Sequence, residues 1–258
     1  MSLTMSKGPL APESPPTVNY LIDGPKHKIF FSAFPRRVRA ELAGTVLAET
    51  DGAMLLHETA LLPQLYVPVV DMDDSRLEPT DHHTHCPFKG DASYHTIRVG
   101  DIVRENGVWS YPQPIEAVPW LADYRALYWE AADAWFDEDE QVLGHLRDPF
   151  HRVDTRPTRR HVRVTLDGTV LAESDAPLVL SETGLPNRWY LSPDDLRVEL
   201  GPSDTTSICP YKGNATYGSV DGAEDVAWRY EDPLPDARPI TGRWAFDDSK
   251  VSIEVACR

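Results

Sequence analysis

The pentapeptide Cys209-Pro210-Tyr211-Lys212-Gly213 repeats Cys86-Pro87-Phe88-Lys89-Gly90 almost letter for letter. That repetition constrains the fold more than any other feature, because a chain carrying the same words twice in the same order is one unit duplicated. Gly44 and Gly168, Glu58 and Glu182, and Tyr66 and Tyr190 each stand 124 positions apart. One deletion changes the register to 123 for Cys86 and Cys209, Lys89 and Lys212, and Tyr94 and Tyr217. A later slip to 119 aligns Val108-Trp109-Ser110-Tyr111 with Ala227-Trp228-Arg229-Tyr230. Loop-sized slips between matching strands are what duplication followed by surface drift leaves. The expected organisation is an N-terminal arm over 1–36, a first repeat domain over 37–145, a connector over 146–160 and a second repeat domain over 161–258.

Local patterns favour strands. Val38-Arg39-Ala40-Glu41-Leu42 alternates with period two, turns at Ala43-Gly44 and returns as Val46-Leu47-Ala48-Glu49-Thr50. In the second copy Val162 to Leu166 turns at Asp167-Gly168, the stronger hairpin signal. Residues 121–141 set propensity against the repeat: Ala, Glu and Leu there suggest a helix, whereas the partner stretch in the second copy alternates like a hairpin, 242–246 with 251–255. The repeat decides for strands at 125–129 and 134–136, with a short helical turn near 119–123. Ser192 is the expected N-cap of a brief turn beginning at Pro193. Pro9, Pro12, Pro15 and Pro16 among small residues predict a loose arm up to about residue 25, and Ile29-Phe30-Phe31 with Phe34 predicts a docked segment after it. Twenty-three prolines in 258 residues fit short elements and many turns.

The formal net charge of −16 argues against a nucleic-acid or anionic-membrane partner, both of which need a basic face. Three cysteines, Cys86, Cys209 and Cys257, with no C-x-x-C, predict free thiols and a cytoplasmic setting. Nothing reads as a signal peptide or as an apolar run of membrane-spanning length.

The ordered set Gly-Thr-Val-Leu-Ala-Glu-Ser, Ser-Glu-Thr with Trp-Tyr soon after, Cys-Pro-Tyr-Lys-Gly, Ala-Trp-Arg-Tyr and Trp-Ala-Phe resembles a bacterial family known as domain of unknown function 427. Both copies carry the resemblance, over about 36–258. It implies a mainly β fold: two homologous antiparallel β domains in tandem, similar to the Mss4-like β-tent, with few short helices. Mss4 holds zinc through paired C-x-x-C motifs. These are missing here, so a structural zinc is not implied, and the family brings no activity with it.

Candidate chemistry follows from the residues that recur. In Cys-Pro-Tyr-Lys-Gly the turn lets Lys212 fold back toward Cys209, and a nearby ammonium makes a thiol a better nucleophile. Equally, such a cysteine packs as a small hydrophobe while the lysine reaches solvent. Glu182 is the candidate acid/base or ion-pair partner, Cys209 the nucleophile and Lys212 an anion or carbonyl anchor, with Glu58, Cys86 and Lys89 as first-copy equivalents. A Glu–Lys pair fixing the turn to a neighbouring strand competes with a ligand pocket as the explanation. Tyr190 and Tyr217, with Tyr66 and Tyr94, are candidate ligand-binding residues facing the same cavity.

His83 and His85 would share a strand face and suit a two-histidine metal pair. The second copy holds Thr206 and Ile208 there, so no metal is assigned. No cofactor is expected, since the common nucleotide, zinc-protease and hydrolase motifs are absent. The reading that results is a small-molecule-binding protein or enzyme using a Glu/Tyr/Cys/Lys concave site in each repeat. The alternative is a non-catalytic module that offers its duplicated sheet to a protein partner. The copies differ beside this site, Leu61-Leu62-Pro63-Gln64 standing where the second has Leu185-Pro186-Asn187-Arg188.

Overall fold

The computed structural model describes residues 3–4 and 26–256. The arm expected up to about residue 25 lies almost wholly outside the described residues, and Cys257 lies outside them too. The chain divides into two compact units, Ser2–Pro149 and Phe150–Arg258.

The first unit runs β1 (Ile29–Ala33), β2 (Val38–Leu42), β3 (Thr45–Thr50), β4 (Met54–Glu58), β5 (Gln64–Pro68), β6 (Leu77–Cys86), β7 (Gly90–Val99), β8 (Ile102–Ser110), β9 (Tyr124–Leu127), β10 (Ala134–Asp137) and β11 (Glu140–Gln141). The second runs β12 (Val153–Pro157), β13 (His161–Leu166), β14 (Thr169–Ser174), β15 (Leu178–Glu182), β16 (Arg188–Tyr190), β17 (Gly201–Cys209), β18 (Gly213–Val220), β19 (Ala223–Tyr230), β20 (Ala245–Phe246) and β21 (Ser252–Ala256). Strand for strand, β1 to β10 reappear as β12 to β21. Every strand pair is antiparallel, and the helical content is short 3₁₀ turns. Both units are therefore mainly β, built in tandem. Among the described residues no helix is long and apolar enough to cross a membrane.

In the first unit a seven-stranded sheet has the order β1-β4-β5-β9-β8-β7-β6, beside a sheet ordered β11-β10-β2-β3. The second unit holds β12-β15-β16, β17-β18-β19-β20 and β14-β13-β21. An isolated bridge between Leu191 and Trp244 joins the first two into the same seven-strand order.

Both faces of the large sheet are covered. Alternation along a strand sends neighbours to opposite faces, so Leu55, Leu65, Val67 and Leu127 enter one core while Leu56, Tyr66 and Ala126 enter the other. The same division recurs, with Leu191 and Phe246 in one core and Leu180, Tyr190 and Ala245 in the other.

Several expectations hold. Ala43 and Gly44, and Asp167 and Gly168, all have positive φ, the backbone that a two-residue hairpin turn requires. The stretch 121–141 is strands, with a 3₁₀ turn at Pro119–Asp123 ahead of β9 and a second at Trp129–Ala131 that shortens the expected first strand. Ser192 caps Pro193–Asp195 in a capping box, and Phe34 is buried.

Two readings are corrected. Residues 242–246 and 251–255 do not form a hairpin, because β20 pairs with β19 whereas β21 pairs with β13 in another sheet. Alternation reports a half-buried strand but not its partner. Residues 146–160, read as a connector, contain β12, which pairs with β15, as β1 in the arm pairs with β4. Proline and charge marked 146–160 as a linker, yet it supplies an edge strand of the large sheet, whereas β1 falls in the apolar segment expected to dock.

Candidate functional site

The Cys-Pro-aromatic-Lys-Gly word closes the hairpin between β6 and β7, and again between β17 and β18. The Lys89 N–H donates to Cys86 O at 3.2 Å, and Lys212 N–H to Cys209 O at 3.2 Å. The following Gly90 and Gly213 have φ of +108° and +102°. A Cβ on Gly90 would stand 3.3 Å from Gln113 O and from Ile115 N. This glycine therefore serves both the turn and a close backbone approach, since the Ile115 N–H donates to Lys89 O at 3.0 Å. Gly90→Ala is expected to destabilise the first unit by roughly 1–3 kcal/mol in urea unfolding, from backbone strain and that crowding.

Held by this turn, the lysine reaches back to the glutamate at the end of β4 or β15. Lys212 Nζ donates to Glu182 Oε2 at 2.5 Å, and Lys89 Nζ pairs with Glu58 Oε2. The sequence reading that turned Lys212 toward the Cys209 thiol is thus met by an ammonium directed at Glu182.

The other carboxylate oxygen has a partner that the sequence reading missed. Glu58 Oε1 lies 2.8 Å from His27 Nε2, and Glu182 Oε1 lies 3.0 Å from His151 Nε2. Each histidine packs against the aromatic residue of the pentapeptide, with His27 stacked on Phe88 at 3.8 Å and His151 against Tyr211 at 3.9 Å. Strand pairing places them, since Ile29 stands opposite Glu58 and Val153 opposite Glu182. The signal was available: His27 and His151 are 124 positions apart, the register of the glutamates.

Above each triad lies a cavity. That of the second unit, about 440 Å³, is lined by Glu182, Tyr190, Cys209, Lys212, Tyr217 and Trp228, among others. That of the first, about 380 Å³, is lined by Glu58, Tyr66, Lys89, Tyr94, Trp109 and Tyr111, among others. All four tyrosines singled out from sequence therefore reach a cavity wall, together with the paired glutamate and lysine. Cys86 packs against the core beneath the first cavity.

A family model described as domain of unknown function 427 matches the chain twice, over residues 31–138 and 154–256. The chain belongs to this family. No curated protein matches it. In each DUF427 unit the match begins just after the histidine of the triad.

Burial opposes ionisation of Glu182, but the hydrogen bond from His151 and the charge of Lys212 outweigh it, and the carboxyl is pulled down to about 2. Burial pushes the phenols of Tyr66, Tyr111, Tyr190 and Tyr230 well above the ordinary tyrosine range, so all four are neutral hydrogen-bonding groups. The Trp109 ring stands edge-on to Tyr66, with centroids 6.4 Å apart. The Tyr94 hydroxyl lies 2.8 Å from Thr84 Oγ1, and that of Tyr217 lies 2.9 Å from Ser207 Oγ.

His83 and His85 stand elsewhere on β6, with His83 Nδ1 3.3 Å from Ala92 O and His85 Nδ1 2.6 Å from Asp91 Oδ1. Among the described residues no three His, Cys, Asp or Glu side chains are grouped to hold a metal ion.

Proposed function

We propose that each DUF427 unit is a small-molecule-binding module whose ligand enters the aromatic cavity over the Glu–Lys–His triad. The observation that carries this reading is recurrence. The two cavities share a paired carboxylate and ammonium, a histidine on the second carboxylate oxygen, and tyrosines and a tryptophan at matching positions. Packing explains recurring apolar residues readily, but it does not call for a cavity of about 400 Å³ above a buried ion pair, a volume within the roughly 300–1,000 Å³ of small-molecule sites. Neutral phenols and indoles supply flat apolar walls with polar edges, which suit a ligand with a planar part.

Binding is favoured over acid–base catalysis by the same carboxylate. A general base works best with a pKa near the operating pH, and Glu182, at about 2, is a weak base at neutrality. Its role is to hold Lys212 and His151 in place. The test is a fragment screen by ligand-observed NMR on the full chain, repeated on Trp228→Ala and Trp109→Ala. Hits for the second cavity are expected to weaken by about tenfold or more on loss of Trp228, in line with roughly 1–3 kcal/mol for stacking on an aromatic wall. Hits that bind both variants as well as the parent would remove the reading.

A further inference from the structure

The two cavities share a floor, and two of the differences between their walls change the polar groups on offer. The first is Gln64 against Arg188, which face Leu56 and Leu180 in equivalent strand pairs. Gln64 donates its amide to Leu65 O at 3.1 Å and to Leu127 O at 3.3 Å, tying itself to the backbone. Arg188 brings a planar fork of N–H donors to the same place. One of these, Nη1, lies 2.7 Å from Asp248 Oδ2, and the guanidinium sits 5.7 Å from the centre of the Trp228 ring system.

The second position is Tyr128 against Asp247, aligned by the register of 119 that also relates Trp109 to Trp228. The Tyr128 ring lies 4.5 Å from the Trp109 ring, so a side chain of the protein covers that indole. Asp247 has no ring to cover Trp228. Its carboxylate is fixed instead, Oδ1 accepting from Ser249 N at 3.0 Å and Ser249 Oγ at 2.7 Å, with Lys250 Nζ 3.9 Å from Oδ2.

On the cavity reading above, we propose that the second unit takes a small zwitterion bearing a planar ring, with its acidic group on Arg188, its amino group on Asp247 and its ring over Trp228. The first unit takes an uncharged ligand. Glu182 and Lys212 neutralise each other at the floor, so the charges left on the second cavity's wall are one of each sign, Arg188 and Asp247. A ligand with a single charge would engage only one of them, whereas a zwitterion meets both, adding a charge-assisted hydrogen bond to each beside its protein partner, Asp248 or Lys250. At the equivalent places the first cavity offers an amide and a phenol.

Three probes with the same ring separate the charges: phenylalanine, 3-phenylpropanoate and 2-phenylethylamine, titrated into the full chain by saturation-transfer NMR. Phenylalanine is expected to bind about tenfold tighter than either singly charged probe, a difference of about 1.4 kcal/mol. Arg188→Gln, which installs the first cavity's residue, should weaken phenylalanine and phenylpropanoate and spare the amine. Asp247→Asn, which keeps an acceptor for Ser249, should weaken phenylalanine and the amine and spare the acid. Three probes binding alike, unchanged by either variant but lost with Trp228→Ala, would overturn the zwitterion and leave the cavity reading standing. No binding of any probe at millimolar concentration would overturn the zwitterion assignment, and the fragment screen then decides the cavity reading by itself.

Discussion

Replacing Lys212 by methionine is expected to destabilise the second unit by about 3–5 kcal/mol, the usual penalty for removing one partner of a buried ion pair. The side chains of Lys212 and Glu182 are 10% and 9% exposed, so water cannot take over the solvation that the ammonium provides. Glu182 keeps His151 but must hold its charge in a poorly solvated place. The double variant Glu182→Gln/Lys212→Met removes both charges and is expected to recover most of the loss, because a buried pair and a neutral substitute of similar volume are often nearly equal in stability. Lys89→Met should act likewise on the first unit, through Glu58. Urea unfolding followed by ¹⁹F signals of fluorotryptophan separates the units, since Trp189, Trp228 and Trp244 belong to the second. A loss below about 1 kcal/mol would mark the pair as no stronger than an exposed surface salt bridge.

Much of the fold was legible because the duplication acts as a second opinion on every local pattern. Residues 121–141 show this best. Their composition favours a helix, yet Ala126 must enter one core and Leu127 the other, and only a strand sends adjacent side chains to opposite faces. The repeat carried that information where propensity did not. What escaped was pairing between segments distant in sequence. Neither His27 nor His151 belongs to a recognisable motif, and each reaches its glutamate only because an edge strand adds to the large sheet in one register. The mispaired strands at 245–246 and 252–256 failed for the same reason: alternation fixes which way side chains point, while the sheet that accepts the strand is a tertiary choice. The Glu–Lys pair had two competing explanations, a fastened turn or a ligand pocket; the pair does join the turn to the neighbouring strand, and it also lines a cavity, whose use as a binding site is the proposal made above.

The second unit should also lose stability in acid through one carboxyl. Glu182 has an ordinary value of 4.5 and is held at about 2 in the folded chain, where burial works against the charge and His151 and Lys212 more than offset it. A group whose folded pKa is depressed stabilises the fold above its unfolded pKa. The contribution is therefore complete above about pH 4.5, declines as protons bind the unfolded chain first, and is gone near pH 2. A shift of this size corresponds to about 3 kcal/mol, at 1.36 kcal/mol per pKa unit. Other acidic groups titrate over the same range, so the informative quantity is the difference in stability between the parent chain and Glu182→Gln, in which their effects cancel. That difference is expected to shrink by about 3 kcal/mol between pH 7 and pH 2, with most of the change below pH 4.5. The same ¹⁹F signals of the second unit would read it. A difference that stays constant down to pH 3 would mean that His151 and Lys212 do not hold the carboxylate ionised.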